Sequence, residues 1–334
     1  MRKLASVQIV HDIVPIKGAD KIELAKVEGF QAVIKKGEFH VGDKCIYIET
    51  DSICPDTKQF EFLGKNKRIR LMKLRGVISQ GLVLPYTGDE PVGTDLTKQL
   101  GITKFELQDT TFNCSAKRGE FPVDIPKSDE IRAQNILDVL KEYKGTTCIY
   151  TEKLDGTSTT VYMESDGLHI ASRNQDVQDS DTSTYWHTVK ASNIPKLLEK
   201  YPRLCVQGEL IGIGVQKNPY KLTTHKIYVF NIYNRDTNTY YTQKELENIC
   251  NKFNIDTCPY LGTMTVTDDI DKLVVLSIGT SKISNTPREG IVCRPETNVE
   301  DYEHGFAGNR LSFKIINPQY VLKKEKAVSK KGDN

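Results

Sequence analysis

Hydrophobic and polar positions alternate in two ways along this chain, and the change between them divides it. Up to about residue 110 the apolar runs are short and of strand length, at 5–10, 22–27, 31–34, 44–48, 68–71 and 78–84. Gly18, Gly29, Gly37, Gly42, Gly64 and Gly76 punctuate them. Many short strands at this spacing, separated by turn residues, predict a small β-barrel. Residues 96–100 fit a short helix, and 111–127, with Pro122 and Pro126, read as a linker.

From residue 128 the runs lengthen and helical periods join them. Ser128 followed by Asp129 and Glu130 reads as a helix start. Ile131, Leu137, Leu140 and Tyr143 supply its apolar stripe, and Gly145 ends it. Strand runs follow at 147–150, 159–163, 168–172, 204–212, 226–233, 288–294 and 311–316. Thr242 and Glu245 make a capping box ahead of Leu246, Ile249, Cys250 and Phe253 on one helix face. Asn317-Pro318 opens a short basic helix carrying Lys323, Lys324 and Lys326. Antiparallel strands with flanking helices make the whole chain α+β, divided at 1–110, 111–127 and 128–334.

Composition narrows the functions. The 334 residues suffice for two domains with their own cores. A charged share of 27% against 38% hydrophobic describes a soluble globular protein, and a net charge of +2 excludes a global basic field, so a nucleic-acid surface must be local. Eight cysteines stand singly with no C-x-x-C pair, which argues against zinc and for free, buried thiols in a reducing compartment. The start reads as no signal peptide, and no apolar run approaches the roughly 18 residues of a membrane span. An intracellular protein, of cytoplasm or nucleus, is expected. One local field stands out: Lys65, Lys67, Arg68, Arg70, Lys73 and Arg75, with no acid between Phe62 and Gly88. Arg68 and Arg70 would share one face of a strand. The run fits a phosphate-contacting groove on a barrel, and equally an edge strand guarded by charge.

The chemistry centres on the stretch from Thr151 to Ser158. Lys153 ends a strand run, Asp155 follows two residues later, and Gly156 permits a tight turn and close approach of a ligand. A lysine amine becomes a nucleophile when burial and nearby cations lower its pKa from roughly 10.4. The same pattern fits a surface ion pair in a turn. Other positions have similar double readings. Glu209 and Glu289 could be paired carboxylates, Phe230 could be core, and Lys314 could snorkel from a strand end. Arg132 reads as an exposed charge in the first turns of the 128–144 helix.

The order of these features separates the readings: K-x-D-G, then S-R-N, then G-E-L-x-G, then V-F-N, then E-G-I-V, then S-F-K. That succession resembles the covalent nucleotidyltransferase superfamily of ATP-dependent ligases and capping enzymes. The chain as a whole resembles RNA ligases of the Naegleria and Deinococcus type. It implies an N-terminal OB-like β-barrel, then an antiparallel-sheet nucleotidyltransferase domain, ATP-grasp-like, of the DNA/RNA ligase adenylation kind. Ala19-Asp20-Lys21-Ile22 and Val27 also look like the opening of OB-type tRNA-binding modules.

The resemblance further implies site roles. Lys153 would attack the α-phosphate of ATP and carry AMP, and Glu152 would read the adenine edge. Leu154, Gly156 and Asn174 would line the nucleotide. Arg173 would contact ribose or phosphates, Phe230 would stack on adenine, Lys314 would face the α-phosphate, and Arg132 the β- and γ-phosphates. Asp155, Glu209 and Glu289 would hold Mg²⁺ or Mn²⁺, largely through water. The last motif departs from a two-lysine pattern, since Lys314-Ile315-Ile316 has one cation. The implied activity is ATP-dependent joining of RNA 3′-OH and 5′-phosphate ends through lysyl-AMP, acting as a monomer on nicked duplexes with RNA on the 3′-OH side. A GTP-using capping enzyme and a catalytically silent RNA-binding protein are the alternatives. The barrel preceding the lysine domain weighs against capping.

Overall fold

The computed structural model describes residues 3–105 and 116–332, with side chains to residue 326. Cys114 and residues 111–115 of the expected linker lie outside the described residues. The chain forms two compact units. One comprises 1–108, 134–137 and 318–334, and the other 109–133 and 138–317. The C-terminal helix, expected with the second domain, therefore belongs to the first unit.

The first unit is built on a five-stranded antiparallel sheet. Its order is Phe30–Lys35, Ile22–Val27, Ala5–Pro15, Lys44–Glu49 and Gly81–Pro85. The long first strand shifts register between Val10 and Asp12. Such a bulge bends a strand, so its first half pairs with Lys44–Glu49 and its second with Ile22–Val27. Lys44–Glu49 is buried on both sides. Ile46 and Ile48 join one apolar cluster with Val7 and Phe60, while Cys45 and Tyr47 join another with Val10 and Phe30. This is the expected OB-type architecture.

Three local expectations fail here. Residues 68–71 are not a strand: Arg68 makes a single bridge to Ile53, and the strand is Met72–Leu74. It pairs with Val77–Ser79 around Arg75 and Gly76, both at positive φ, as a twisted two-residue hairpin turn requires. The run at 78–84 is two strands, broken at Gln80. Residues 96–100 form turns, not a helix.

The second unit contains two sheets. The larger runs Lys117–Glu120, Gln175–Val177, Gly167–Ala171, Thr157–Glu164, Leu204–Ile211, Lys226–Asn234 and Thr239–Tyr240. The smaller runs Ile131–Arg132, Phe313–Ile316, Gly290–Pro295, Thr147–Lys153 and Tyr260–Thr265. Strand Lys117–Glu120 lies within the expected linker.

Alternation along Leu204–Ile211 shows how the larger sheet is used. Leu204, Val206 and Leu210 pack with Trp186, Leu197 and Leu198 of helices Thr184–Lys190 and Ile194–Lys200, and with Leu246 and Ile249 of helix Gln243–Phe253. That last helix has the expected reciprocal capping box of Thr242 and Glu245. Gln207, of opposite parity, is fully buried in polar company. It donates to the Pro126 carbonyl and accepts from Asn231. Asn231 accepts from Arg310, which leads into Phe313–Ile316 of the other sheet and lies 3.9 Å from the Tyr240 ring. Arg294 donates to Glu130 at 3.0 Å. A hydrogen-bonded layer on the larger sheet thus reaches, through Arg310, the segment that enters the smaller one.

The helix expected from Ser128 is the largest correction. Ile131–Arg132 is a short strand, parallel to Phe313–Ile316, and the α-helix is only Leu137–Glu142. The pairing partner lies far along the chain, beyond the reach of a local apolar stripe. Among the described residues, no helix is long and apolar enough to cross a membrane. The seven described cysteines are free and buried, as expected.

Candidate active site

Lys153 ends its strand opposite Gly290, which brings the motif headed by Glu289 beside it. The approach demands glycine: a Cβ on Gly290 would lie 2.2 Å from the Ile315 carbonyl oxygen. Asn317 holds the segment from the other side. Its backbone N–H donates to the Glu289 carbonyl, and its side chain donates to the Arg288 carbonyl. Lys153 Nζ then donates to Glu289 Oε2 at 2.7 Å.

The turn after Lys153 is held against the other sheet. Gly156 N–H donates to Glu209 Oε1 at 2.9 Å, and a Cβ there would meet the Leu210 carbonyl oxygen at 2.3 Å. Asp155 N–H donates to the hydroxyl of Tyr220 at 2.6 Å. Asp155, Glu209 and Glu289 are the carboxylates whose charges act on Lys153. Among the described residues, no three His, Cys, Asp or Glu side chains stand at direct metal-ligand geometry.

Electrostatics corrects the expectation for Lys153. Burial alone would lower its pKa, but Glu289, then Glu209 and Asp155, outweigh it and hold the amine above its ordinary value. The resting amine is a protonated partner of Glu289. Burial pushes Glu209 up to about 8, with Lys153 lowering it and Glu289 and Asp155 raising it further. The donor chemistry, all oxygen and acidic, fits a hard divalent cation.

Lys314 pairs with Val292 on one side and, in parallel register, with Arg132 on the other. Burial, then the charges of Lys153 and Arg132, push its pKa down to about 7. Arg132, expected on a helix, is thus the cation strand-paired with Lys314. Arg310, four residues before Lys314, is turned to Asn231 and Tyr240.

Glu152, 1% exposed, accepts from the Lys282 N–H at 2.7 Å through Oε2, while Oε1 is buried without a partner. Its burial raises its pKa, against the lowering effect of Ser281, Lys282 and Arg288. An unpartnered buried acceptor is a strong demand for a donor. Leu154 is buried with Ile211, Tyr220 and Cys258, and Phe230 and Ile283 pack against them. This is an apolar wall suited to a flat ring. Arg173 and Asn174 are exposed. Arg173 pairs with Asp129 at 2.7 Å, and Asn174 accepts from Lys127.

The motif order missed Tyr220, Ser281, Lys282, Arg288 and Asn317. Tyr220, Ser281 and Lys282 lie in connections without periodicity, and Arg288 reads only as the first residue of the 288–294 strand run. Asn317 follows directly on the last strand, and its neighbour Pro318 suggested only a helix cap.

The basic run in the first unit divides. Lys65, Lys73 and Arg75 are exposed. Lys67 pairs with Asp56 and donates to the Phe60 carbonyl. Arg68 is committed: it pairs with Asp51 at 2.5 Å and Glu325 at 2.6 Å, and its guanidinium lies 3.8 Å from the Phe105 ring centre. Arg70 is half-buried with an unpartnered Nε. Lys65, Lys67, Arg68, Arg70 and Phe105 line a cavity of about 540 Å³.

Comparison with known proteins agrees with this geometry. An RNA ligase family model matches residues 146–316, and an OB-fold domain model matches 4–86. A Naegleria gruberi RNA ligase structure with PPi is 32% identical and superposes with a TM-score of 0.89, covering 98% of this chain and 100% of that one. A mutant of the same enzyme with ATP and Mn is 33% identical, with a TM-score of 0.88 over 96% of this chain and 99% of that one. An uncharacterized protein of Methanocaldococcus jannaschii is 25% identical over 173 residues, 49% of this chain; the match spans 41% of that protein's length. With its lysine domain matched over half the chain and a relative a third identical along nearly all of it, the chain belongs to the RNA ligase family.

Proposed function

We propose that this protein is an ATP-dependent RNA ligase that joins 3′-OH and 5′-phosphate ends through an AMP adduct on Lys153. The observation that carries this is the lysine itself: an amine at a strand end, beside Asp155, Glu209 and Glu289, with Lys314 and Arg132 close by.

In the first step the neutral amine attacks the α-phosphorus of ATP. A P–N bond forms, the bond to pyrophosphate breaks, and the amine proton leaves to solvent. Lys314 and Arg132 face the growing charge on phosphate, a role for positioned cations. Glu152 Oε1 suits the exocyclic amino group of adenine, and Phe230 with Ile283 suits its ring. In the second step a 5′-phosphate oxygen takes the AMP and Lys153 is released. In the third, the 3′-OH displaces AMP and closes the strand. Arg173 would serve ribose or phosphate, its carboxylate partner Asp129 being exposed and exchangeable.

Lys153 must lose its pairing proton before it can attack. Asp155, Glu209 and Glu289 would hold the divalent cation. A bound Mg²⁺ or Mn²⁺ supplies positive charge that offsets these carboxylates and favours a neutral amine. In the first unit, Lys65, Lys73, Arg75 and the Arg70 cavity are the cations left for RNA phosphates, with Lys67 and Arg68 as its paired walls. We further propose a monomer acting on nicked duplexes with RNA on the 3′-OH side.

The test is incubation with α-labelled ATP or GTP, then a denaturing gel, then end joining on 5′-phosphate RNA. The expected result is an acid-labile adduct from ATP alone, and sealing. An adduct from GTP alone would make the protein a capping-type transferase, and no adduct would leave it an RNA-binding protein.

A further inference from the structure

The turn that follows the nucleophile is held at two successive amides. Glu209, on a regular strand, takes the Gly156 N–H. Tyr220 takes the Asp155 N–H at 2.6 Å, and it comes from the irregular connection between Leu204–Ile211 and Lys226–Asn234.

That connection is unusually constrained. Gln216, Lys217 and Asn218 are consecutive non-glycine residues at φ 47°, 61° and 49°, and Lys221 follows at 56°. Such conformations persist only where the surroundings over-determine them, and they concentrate at functional sites. Here the determinants are visible. The Asn218 side chain donates to the Leu222 carbonyl at 2.8 Å and accepts from the Leu222 N–H at 3.0 Å, closing a loop around Pro219, Tyr220 and Lys221. Backbone bonds from Asn218 N–H to Val215 and from Lys221 N–H to Asn218 tighten it. The Tyr220 ring, 3% exposed, packs with Leu154, Ile211 and Cys258. A strained loop is thus fastened so that one hydroxyl reaches one backbone amide, two residues from the reacting lysine.

We propose that Tyr220 is a positioning residue for enzyme adenylylation, whose phenol oxygen fixes the 154–156 turn and thereby aims Lys153 Nζ and the Asp155 carboxylate. This rests on the adenylylation reading above. Displacement of a reacting group by about 1 Å can cost roughly 100-fold in rate. Removing the hydroxyl also leaves the Asp155 N–H buried without an acceptor, so the turn must shift or admit water.

Tyr220→Phe keeps the ring and removes the acceptor. The expected result is a fall in the rate of Lys153-AMP formation of about 10- to 100-fold, with the KM for ATP within twofold and a thermal melt lowered by no more than about 10 °C. Sealing of pre-adenylylated RNA does not use the Lys153 amine as a nucleophile, so it should fall less than threefold. Asn218→Ala, which touches no reacting group but opens the clamp, should show the same selective loss in smaller measure. A Tyr220→Phe protein with wild-type adenylylation overturns the proposal, as does an equal loss at both steps, which would mark a packing residue. If Tyr220→Phe folds poorly, the Asn218→Ala step ratio decides by the same criteria. A wild-type protein that forms no adduct overturns the underlying reading, and this one with it. A wild type that forms it beside an unimpaired Tyr220→Phe overturns this one alone.

Discussion

Lys153 and Arg68 both sit against carboxylates, and the contrast shows what an ion pair can be for. Among the described residues Lys153 donates a hydrogen bond to Glu289, within a site of excess negative charge. Its compact ammonium can lose a proton and change partner. Arg68 is spread over Asp51 and Glu325, stacked near Phe105, and only 10% exposed in its side chain. A guanidinium keeps its charge at any working pH. On the proposed function the first pair is the resting form of a reactive group, and the second is a strut between a β-barrel and its C-terminal helix. Sequence presents both as a basic residue in a strand-like run.

The contrast breaks most sharply at Lys153. Lys153→Ala should abolish the covalent AMP adduct while ATP binding survives, read by gel and by equilibrium binding. Lys153→Arg should fail equally, since it offers no amine lone pair. An adduct in either variant would show that another residue is the nucleophile.

Next come the carboxylates. Asp155→Ala, Glu209→Ala and Glu289→Ala should each lower metal-dependent adenylylation by about 10- to 100-fold or more, as loss of a metal-supporting group does. Adenylylation at full rate in EDTA would show that these carboxylates serve only to hold Lys153.

The Arg68 strut should express itself as stability. Arg68→Ala should cost about 1.5–3 kcal/mol, by loss of charged hydrogen bonds and exposure of Asp51 and Glu325 to each other. Chemical denaturation measures this, and adenylylation by the folded fraction should be unchanged. An unaltered denaturation midpoint would return Arg68 to the free cations.

The smallest effect belongs to the exposed cations. Replacing Lys65, Lys73 and Arg75 with Ser should leave the melt unchanged. It should flatten the salt dependence of RNA binding by roughly 0.7–0.9 in logarithmic slope for each phosphate left unneutralised. Binding with an undiminished slope would make the run a solvated edge.

Much of the site was legible because its residues stand at fixed places on regular strands. Lys153 ends one, Glu209 interrupts another, Glu289 precedes a third, and Lys314 lies within a fourth. Alternation located those strands to within a few residues. What alternation could not give was pairing over distance. Ile131–Arg132 sits in a stretch with helical spacing, yet its conformation is set by Phe313 and Lys314. Arg68 lies in a run that alternates like a strand, yet its two carboxylates and Phe105 take it out of one. The ionisation of Lys153 was read with the wrong sign because nearby cations were expected to dominate. The three carboxylates do, and only their assembly in space reveals it. Tyr220 and Ser281 lie in loops, where no period announces a role.

The hydrogen-bonded layer between the two sheets has a mechanical consequence. Apolar side chains slide past one another at little cost, because contact energy is nearly blind to direction. The chain of Pro126, Gln207, Asn231 and Arg310 is directional at every link, and a shift of the smaller sheet along the larger would break the one that passes between them, Arg310 to Asn231. Arg294 with Glu130 adds a further tie within the same unit. The layer therefore acts like the dowels of a jointed frame. Its directional contact favours one alignment of the sheets that carry Lys153 and Glu209.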